Sequence, residues 1–301
     1  MRDGTVPGGF IDPPSFLTTL ASVGGRPLDK VEAKKLAGWL EEGNWSVAEQ
    51  TGTSITFERP VPEHRLTLVK RYTLEPVPAG SRENRDYPGY HVMLDIELRN
   101  TGDAPQTVAY RLDGPTGLPI EGWWYTHKIS QRWFSGAGLR DVAVRFQGLP
   151  ATQIDCSTIA EDKAELMGQD KSLAYVGVDA VYFAAMLIPV KQSLDDDWFD
   201  VTEAIRVGPP LPPRTPLTMT NVSCRLTRDP LEIAPGESKK DSYQIFIGPR
   251  RPELLAQYQA ARDPNYSLRD IIYYGMWPFS AVARGMLSVL HFFYGIVGNY
   301  G

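Results

Sequence analysis

The sequence predicts an all-β fold, a large antiparallel β-sandwich with a few short helices. The first observation is that apolar and polar residues alternate with a period of two from about residue 53 to residue 248. The second is that 25 prolines and 27 glycines among 301 residues break the chain into short segments joined by turns. The third is that strands do not alternate with helices, which argues against a doubly wound parallel sheet.

Nine segments carry the strand pattern. In the third of them, Leu94, Ile96 and Leu98 fall on one face and charged residues fall between them. In the second, only Lys70 interrupts the apolar face. The segments, in chain order, are TSITFER, HRLTLVKRYTL, YHVMLDIELRN, QTVAYRLD, DVAVRF, SLAYVGV, AVYFAAMLIP, LTMTNVSCRL and SYQIFIG.

Helices are few in this prediction. Residues 29–43 have helical composition and are expected to form a short insertion at the edge of the sandwich, and residues 161–167 are a weaker candidate. Residues 250–264 carry apolar side chains at helical spacing, and Pro264 is expected to stop or kink that helix.

The end of the chain has a different pattern, that of an amphipathic helix over residues 279–297. A narrow polar stripe of Ser280, Arg284, Ser288 and His291 runs along one side. Nineteen residues would span roughly 28 Å as a helix. The wide apolar face consists of Phe279, Val282, Ala283, Met286, Leu287, Leu290, Phe293, Tyr294 and Val297.

Two interpretations of this helix follow from the pattern. Arg284 interrupts the apolar run too early for a membrane span, and aromatic residues just before the helix suit the headgroup region of a bilayer. The sequence therefore predicts a helix that lies on a membrane surface, the alternative being a core helix packed on the sandwich. The predicted contact residues are Trp277, Phe279, Val282, Met286, Leu287, Leu290, Phe293, Tyr294 and Val297.

Charge and targeting signals narrow the class of protein. A net charge of −5 and the lack of a block rich in lysine and arginine argue against a nucleic-acid partner. The N-terminus lacks a signal peptide, and no run of 18 charge-free apolar residues occurs. We therefore expect either a cytosolic protein or a piece of a longer one, and the apolar ending favours the second.

The two cysteines, Cys156 and Cys224, are too few and too far apart for a zinc site. Each lies in a segment of alternating pattern, on the apolar face with neighbours such as Ile154 and Val222. Both thiols are expected to point into a core, either as two free thiols or as a disulfide if their strands are neighbours.

No motif in the sequence indicates catalysis or a cofactor. Nucleotide-binding loops, metal-ligand spacings and nucleophile elbows are absent, so no enzyme activity, cofactor or metal is expected. The aromatic cluster Trp123, Trp124 and Tyr125 lies near three carboxylates and suggests a groove that stacks on sugars. The carboxylates are Asp113, Glu121 and Asp141. A carbohydrate-binding or mutarotase-like sandwich is therefore the alternative function.

Five blocks of sequence resemble, in order, the YidC family of bacterial membrane insertases. They cover about residue 53 to residue 301, whereas the first 50 residues match poorly. The blocks are LVKRYTLEP with IELRNTGDAP, AYRLDGPTGLPIEGWWYTHKI, AYVGVDAVYFAAMLIP, SYQIFIGPRRPELLAQY and LSVLHFFYGIVGNYG.

The resemblance implies the periplasmic domain of a Gram-negative-type insertase of the inner membrane. Its fold would be a β-supersandwich similar to galactose mutarotases, over residues 1–264 with a poorly matched part at 1–52. Residues 265–301 would be the linker and the membrane-surface helix that leads to a second transmembrane helix beyond this chain.

The resemblance also implies a role and partners. The domain would be a non-catalytic scaffold of an insertase and chaperone, acting with or without the Sec translocon, because the family's insertase chemistry resides in membrane helices that this chain lacks. Its partners would be the bilayer surface, nascent inner-membrane proteins and Sec components including SecDF, with residues 266–301 mattering most.

Overall fold

Two antiparallel sheets pack face to face around one apolar core. The computed structural model describes residues 14–119, 139–162, 167–168, 170–208, 215–274 and 279–298. Within these ranges every strand pair is antiparallel, as in the predicted fold class. The all-β prediction is thus confirmed.

The strands are numbered in chain order. The smaller sheet consists of β1 (Thr18–Val23), β2 (Arg26–Pro27), β7 (Gln106–Asp113), β12 (Phe199–Arg206), β13 (Val222–Arg228) and β14 (Leu231–Ile233). Its order is β12-β13-β7-β1-β2, and β14 also pairs with β7.

The larger sheet runs in the order β3-β4-β5-β6-β15-β11-β10-β8-β9. Its strands are β3 (Ser46–Gln50), β4 (Ser54–Val61), β5 (Leu66–Thr73), β6 (His91–Asn100), β8 (Arg140–Phe146), β9 (Thr152–Ile154), β10 (Leu173–Ala180), β11 (Phe183–Pro189) and β15 (Ser238–Pro249).

The alternation in the sequence places the core between the sheets. Leu94, Ile96 and Leu98 of the larger sheet meet Leu112 and Leu226 of the smaller one in a single buried cluster. Because successive side chains of a strand point to opposite faces, each strand contributes every second residue to this core. The nine predicted strand segments all contain strands of the sandwich.

A second apolar cluster covers the outer face of the larger sheet. Ala174, Met186 and Phe246 on that face contact Leu254 and Leu268, which follow the last strand. The central strands are therefore buried on both faces at this point, which explains why β10 is almost uniformly apolar.

The predicted helix near the N-terminus is confirmed as α1 (Lys30–Leu40). Asp29 caps it and forms a capping box with Glu32, so the N–H groups of Asp29, Val31 and Glu32 are satisfied. Leu36 and Leu40 are buried against the sandwich. Part of the 161–167 candidate lies outside the described residues, and Met167 forms a β-bridge with Thr202 instead of a helix.

The helix predicted over residues 250–264 forms only one turn, α3 (Pro252–Leu255). Beyond it, Gln259 is extended and pairs with Ser267, and Ala261 has a left-handed backbone with φ of 49°. The apolar side chains at helical spacing are buried as expected, but short 3₁₀ turns rather than a continuous helix carry them.

The cysteines are free and buried, so the free-thiol interpretation is confirmed. Cys156 does not continue a strand, as its pattern predicted, but begins the short helix α2 (Cys156–Ala160). Burial raises the pKa of the Cys156 thiol to about 12 and also raises the pKa of Cys224. Both thiols therefore stay protonated and unreactive near neutral pH.

Lys70 interrupts the apolar face of β5, and the structure shows how it is accommodated. Its Nζ donates a hydrogen bond to the Phe16 carbonyl at 2.8 Å and lies 4.8 Å from the Trp45 ring centroid. Burial lowers the pKa of the lysine to about 8. Lys70 thus joins the sandwich to the segment that precedes β1.

Candidate functional site

The last helix, α4 (Phe279–Val297), has the bounds that the sequence predicted, but its apolar residues are exposed to solvent. Met286 is 62% exposed and Ile296 is 68% exposed. A helix in the core of a soluble domain would bury such side chains. The exposed large apolar residues are Val282, Met286, Leu287, Val289, Leu290, Phe292, Phe293, Ile296 and Val297.

The exposed residues cover most of the helix circumference. At 100° per residue, the apolar positions of α4 occupy an arc of about 240°. Sequence reasoning left out Val289, Phe292 and Ile296, which lie along one side of the exposed arc. A projection of all nineteen positions would have included them, because the polar stripe is narrow.

One edge of this arc is less exposed than the rest. Ala283 and Tyr294 are half-buried, and helical geometry places them on the same side three turns apart. The core-helix alternative therefore does not describe α4, since its large apolar side chains are exposed. Phe279 is the first residue of the helix, while Trp277 lies outside the described residues.

The segment between β15 and α4 is docked on the larger sheet. We call residues 250–272 the docked linker. Four of its side chains are at most 1% exposed and belong to the cluster on the outer face of the sheet, namely Leu254, Leu255, Leu268 and Ile271. Burial of each such side chain stabilises the docked state by ~1.5–3 kcal/mol.

Arg250 fastens both ends of the docked linker to the sheet. Its Nε lies 2.7 Å from an oxygen of Asp179, a carboxylate with no solvent exposure. Its Nη1 donates to the carbonyls of Ala180 and Val181, and its Nη2 donates to the carbonyl of Ile271. The planar guanidinium thus holds the start and the end of the linker against one strand end.

Further polar contacts hold the middle of the docked linker. The Tyr175 hydroxyl donates to the Ser267 carbonyl at 3.2 Å, and the Tyr266 hydroxyl accepts from the Gly148 N–H at 2.9 Å. Arg145 lies 3.5 Å from Asp270 and over the Tyr266 ring. The linker is therefore held in one position on the sheet, and the chain continues towards α4 from that position.

A possible metal site does not have the chemistry to hold an ion. Side-chain atoms of Asp141, Asp155 and Cys156 lie within 4.8 Å of one another. However, Asp141 accepts from the Cys156 N–H and Asp155 caps α2 through the Ser157 N–H. The thiol, whose pKa is raised, donates to the Thr218 carbonyl. The three side chains therefore stabilise the start of α2 through hydrogen bonds rather than form a metal site.

The predicted groove aromatics Trp123, Trp124 and Tyr125 lie outside the described residues, and so does Glu121. Of the carboxylates near them in sequence, Asp113 forms a two-fold hydrogen-bonded ion pair with Arg225, at 2.6 and 2.9 Å. Asp141 is the buried helix cap just described. Neither carboxylate faces a groove as an acid or base of a sugar enzyme would.

A comparison with known protein families identifies the family to which the chain belongs. The family described as the YidC periplasmic domain matches residues 32–288. The chain belongs to this family. The match begins inside α1 and ends inside α4, so it starts well before residue 53, where the resemblance was expected to begin.

Two relatives carry the name membrane protein insertase YidC. The one from Geotalea daltonii is 27% identical over 215 residues, which are 71% of this chain and 33% of the relative. The one from Geotalea uraniireducens is 42% identical over 72 residues, 24% of this chain and 12% of the relative. The chain thus spans about a third of the length of the first of these YidC proteins.

Solved structures with related architecture are more distant from this YidC domain. A galactose mutarotase-like protein from Lactobacillus casei has a TM-score of 0.45 and 9% identity, covering 79% of this chain and 83% of its own. A putative aldose 1-epimerase from Escherichia coli has a TM-score of 0.43 and 9% identity, covering 79% and 82%.

Whether a helix can cross a membrane depends on its length and on its apolar character. Within the described ranges, no helix combines the length and the apolar character that crossing a membrane requires.

Proposed function

We propose that this chain is a non-catalytic scaffold of a membrane protein insertase and that α4 holds it on the periplasmic surface of the inner membrane. Membership of the YidC periplasmic domain family and the names of the relatives support the insertase role. The observation that carries the proposal is the exposed apolar arc of α4. Exposed apolar surface of this extent on one helix is typical of a membrane or protein contact.

The geometry of α4 suits a helix parallel to the membrane plane. Helices of this kind bury a wide apolar face about 5–10 Å into the boundary between headgroups and acyl chains. The polar stripe, which includes Ser288, would then face water. In that orientation the apolar residues of every turn reach the lipid, whereas a helix that crossed the bilayer would bring Arg284 into hydrocarbon.

The docked linker gives this contact a mechanical role. Because residues 250–272 are fixed on the larger sheet, only the short stretch between Ile272 and Phe279 separates the sandwich from the helix. A helix lying on the bilayer therefore restricts the height and the tilt of the sandwich above it. The sandwich becomes a platform close to the site where inner-membrane proteins would be inserted.

Partners follow from the same proposal. The scaffold would assist nascent inner-membrane proteins as a chaperone, with or without the Sec translocon, and SecDF would contact the region of residues 266–301. Besides α4, this region exposes one side of the docked linker, which includes Arg269 and Asp270. Among the described residues, Asp113 and Asp141 have structural partners and do not support the carbohydrate alternative.

Deletion of residues 278–301 from the full-length insertase tests the proposal. We expect insertion of a dependent inner-membrane protein to fall severalfold while the sandwich stays folded, because the scaffold loses its membrane contact. The measurement is protease protection of a newly made substrate in inner-membrane vesicles. A replacement of the same length by a Gly/Ser linker serves as the control for spacing. Unchanged insertion in both variants would contradict a role for α4.

A further inference from the structure

The hairpin between β10 and β11 carries two exposed aromatic residues at its tip. Tyr182 is 46% exposed and Phe183 is 38% exposed. Asp179 and Ala184 are the last residues that pair between the two strands; Val181 and Tyr182 connect them, and Phe183 is the first residue of β11. Hairpin tips of this length favour glycine, asparagine or aspartate. Two large aromatics at such a position therefore indicate a contact rather than a requirement of the turn.

The apolar surface continues from the tip along the neighbouring strand. Phe183 pairs with Pro249 and Ala185 pairs with Ile247, so these four side chains point to the same side of the sheet. Ala185 is buried in the core, whereas Ile247 is 52% exposed. The tip residues and Ile247 thus form one exposed patch, which we call the tip patch, just beyond the edge of the core.

The tip patch lies where the docked linker leaves the sandwich. The Arg250 guanidinium donates to the carbonyls of Ala180 and Val181 at the hairpin and to the carbonyl of Ile271 at the end of the linker. The Arg250 N–H also donates to the Tyr182 carbonyl at 2.9 Å. One side chain therefore spans the distance between the hairpin tip and the exit of the chain.

The described start of the chain lies at this same end of the sandwich. Ser15 bonds to Thr116 at 2.9 Å, in the segment that follows β7. The next part of that segment, Leu118, accepts a hydrogen bond from Arg140, which pairs with Ala180 beside the hairpin. The sandwich thus brings Ser15, the exit of the docked linker and the tip patch to one end.

We infer that the tip patch is a second membrane-contact site, which inserts Tyr182 and Phe183 into the headgroup region of the same lipid surface as α4. The six residues between Ile272 and Phe279 reach at most about 25 Å, so α4 starts close to the end of the sandwich that carries the patch. Tyrosine at the tip suits this level of a bilayer, where its ring meets apolar chains and its hydroxyl meets water.

This inference deepens the proposed function and rests on it, since α4 must itself lie on the bilayer. A single helix on the bilayer leaves the sandwich free to rotate about that helix. A second contact, on a rigid hairpin, fixes the orientation of the sandwich. The sandwich would then stand with the strand ends at residues 180–183 towards the lipid and with the opposite ends of those strands away from it.

The test uses the whole chain and vesicles of phosphatidylethanolamine and phosphatidylglycerol at 3:1. Replacing Tyr182 and Phe183 together by serine is expected to weaken vesicle affinity about tenfold, since two partly exposed aromatic side chains lose their lipid contact. Leu149→Ser with Val190→Ser is the matched control, because both are exposed apolar residues at the opposite end of the same sheet. The control is expected to bind as the native chain does.

A nitroxide on Tyr182→Cys reports the contact directly, because the native thiols are buried and do not react with the label. We expect the label to be reached by oxygen from the lipid and shielded from a water-soluble nickel reagent, but only when vesicles are present. A label in water while labels on α4 are in lipid overturns the inference and leaves the proposed function standing. Labels in water at both places overturn both. Shielding without vesicles indicates that a second copy covers the patch, and this also overturns the inference.

Discussion

Replacing Val282 and Val289 together by aspartate is expected to weaken binding of the chain to phosphatidylethanolamine and phosphatidylglycerol vesicles by at least about a hundredfold. Both valines lie in the exposed apolar arc of α4, at 60% and 54% exposure. Transfer of each valine side chain out of water stabilises the bound state by ~1.5 kcal/mol or more, and every 1.4 kcal/mol is tenfold in affinity. Cosedimentation with vesicles over a range of lipid concentrations measures the change.

The matched control is Val31→Asp with Val47→Asp. These two valines are also exposed, at 78% and 53%, but they lie on α1 and β3. The control adds the same two negative charges and removes the same two side chains, so it measures the effect of the changed net charge apart from the α4 contact. Equal weakening of the two variants would show that charge, and not the α4 contact, controls binding.

Replacing Arg250 by methionine is expected to lower the free energy of unfolding by about 3–5 kcal/mol. The change removes the cation that lies 2.7 Å from the buried carboxylate of Asp179, and removal of one partner of a buried ion pair costs about this much. It also removes the donors to the carbonyls of Ala180, Val181 and Ile271. Urea unfolding followed by circular dichroism measures the loss.

The next residue in the chain supplies the control for this prediction. Arg251 lies 2.7 Å from Asp86, but both side chains are more than a third exposed. Solvent screens such a pair, so Arg251→Met is expected to cost less than about 1 kcal/mol. Hydrogen exchange adds a local readout at Leu268, whose N–H bonds to the Tyr258 carbonyl within the docked linker. An Arg250→Met variant as stable as Arg251→Met, with Leu268 still protected, would contradict the mounting role of Arg250.

The strands that could be predicted from the sequence are those whose alternation is continuous. In β6, Leu94, Ile96 and Leu98 keep their period throughout and lie in the core. Six strands escaped prediction. β2, β9 and β14 are only two or three residues long, and β1, β3 and β12 each contain a register shift, at Leu20 and Ser22 in the first of these. A bulge adds one residue and moves the apolar positions to the other face, so the period of two is lost.

The candidate site was also only partly predictable from the sequence. The bounds of α4 could be predicted because its period of 3.6 is local. The docked linker could not be predicted. Its Arg250 pairs with Asp179, which is far away in sequence. Ala261 adopts a left-handed conformation, which alanine rarely does. Tyr182 and Phe183 belonged to a predicted strand segment, and only the pairing of Asp179 with Ala184 shows that they form a tip.

The depth of α4 in a bilayer is the most direct test of the central claim. Nitroxides placed one at a time along residues 282–297 of the vesicle-bound chain report that depth by oxygen and nickel accessibility. We predict a depth that oscillates with the helix period, with Met286 and Phe293 about 5–10 Å below the headgroups and Ser288 in water. A depth that rises steadily from one end of the helix to the other, or labels that all remain in water, would contradict a helix that lies on the membrane surface.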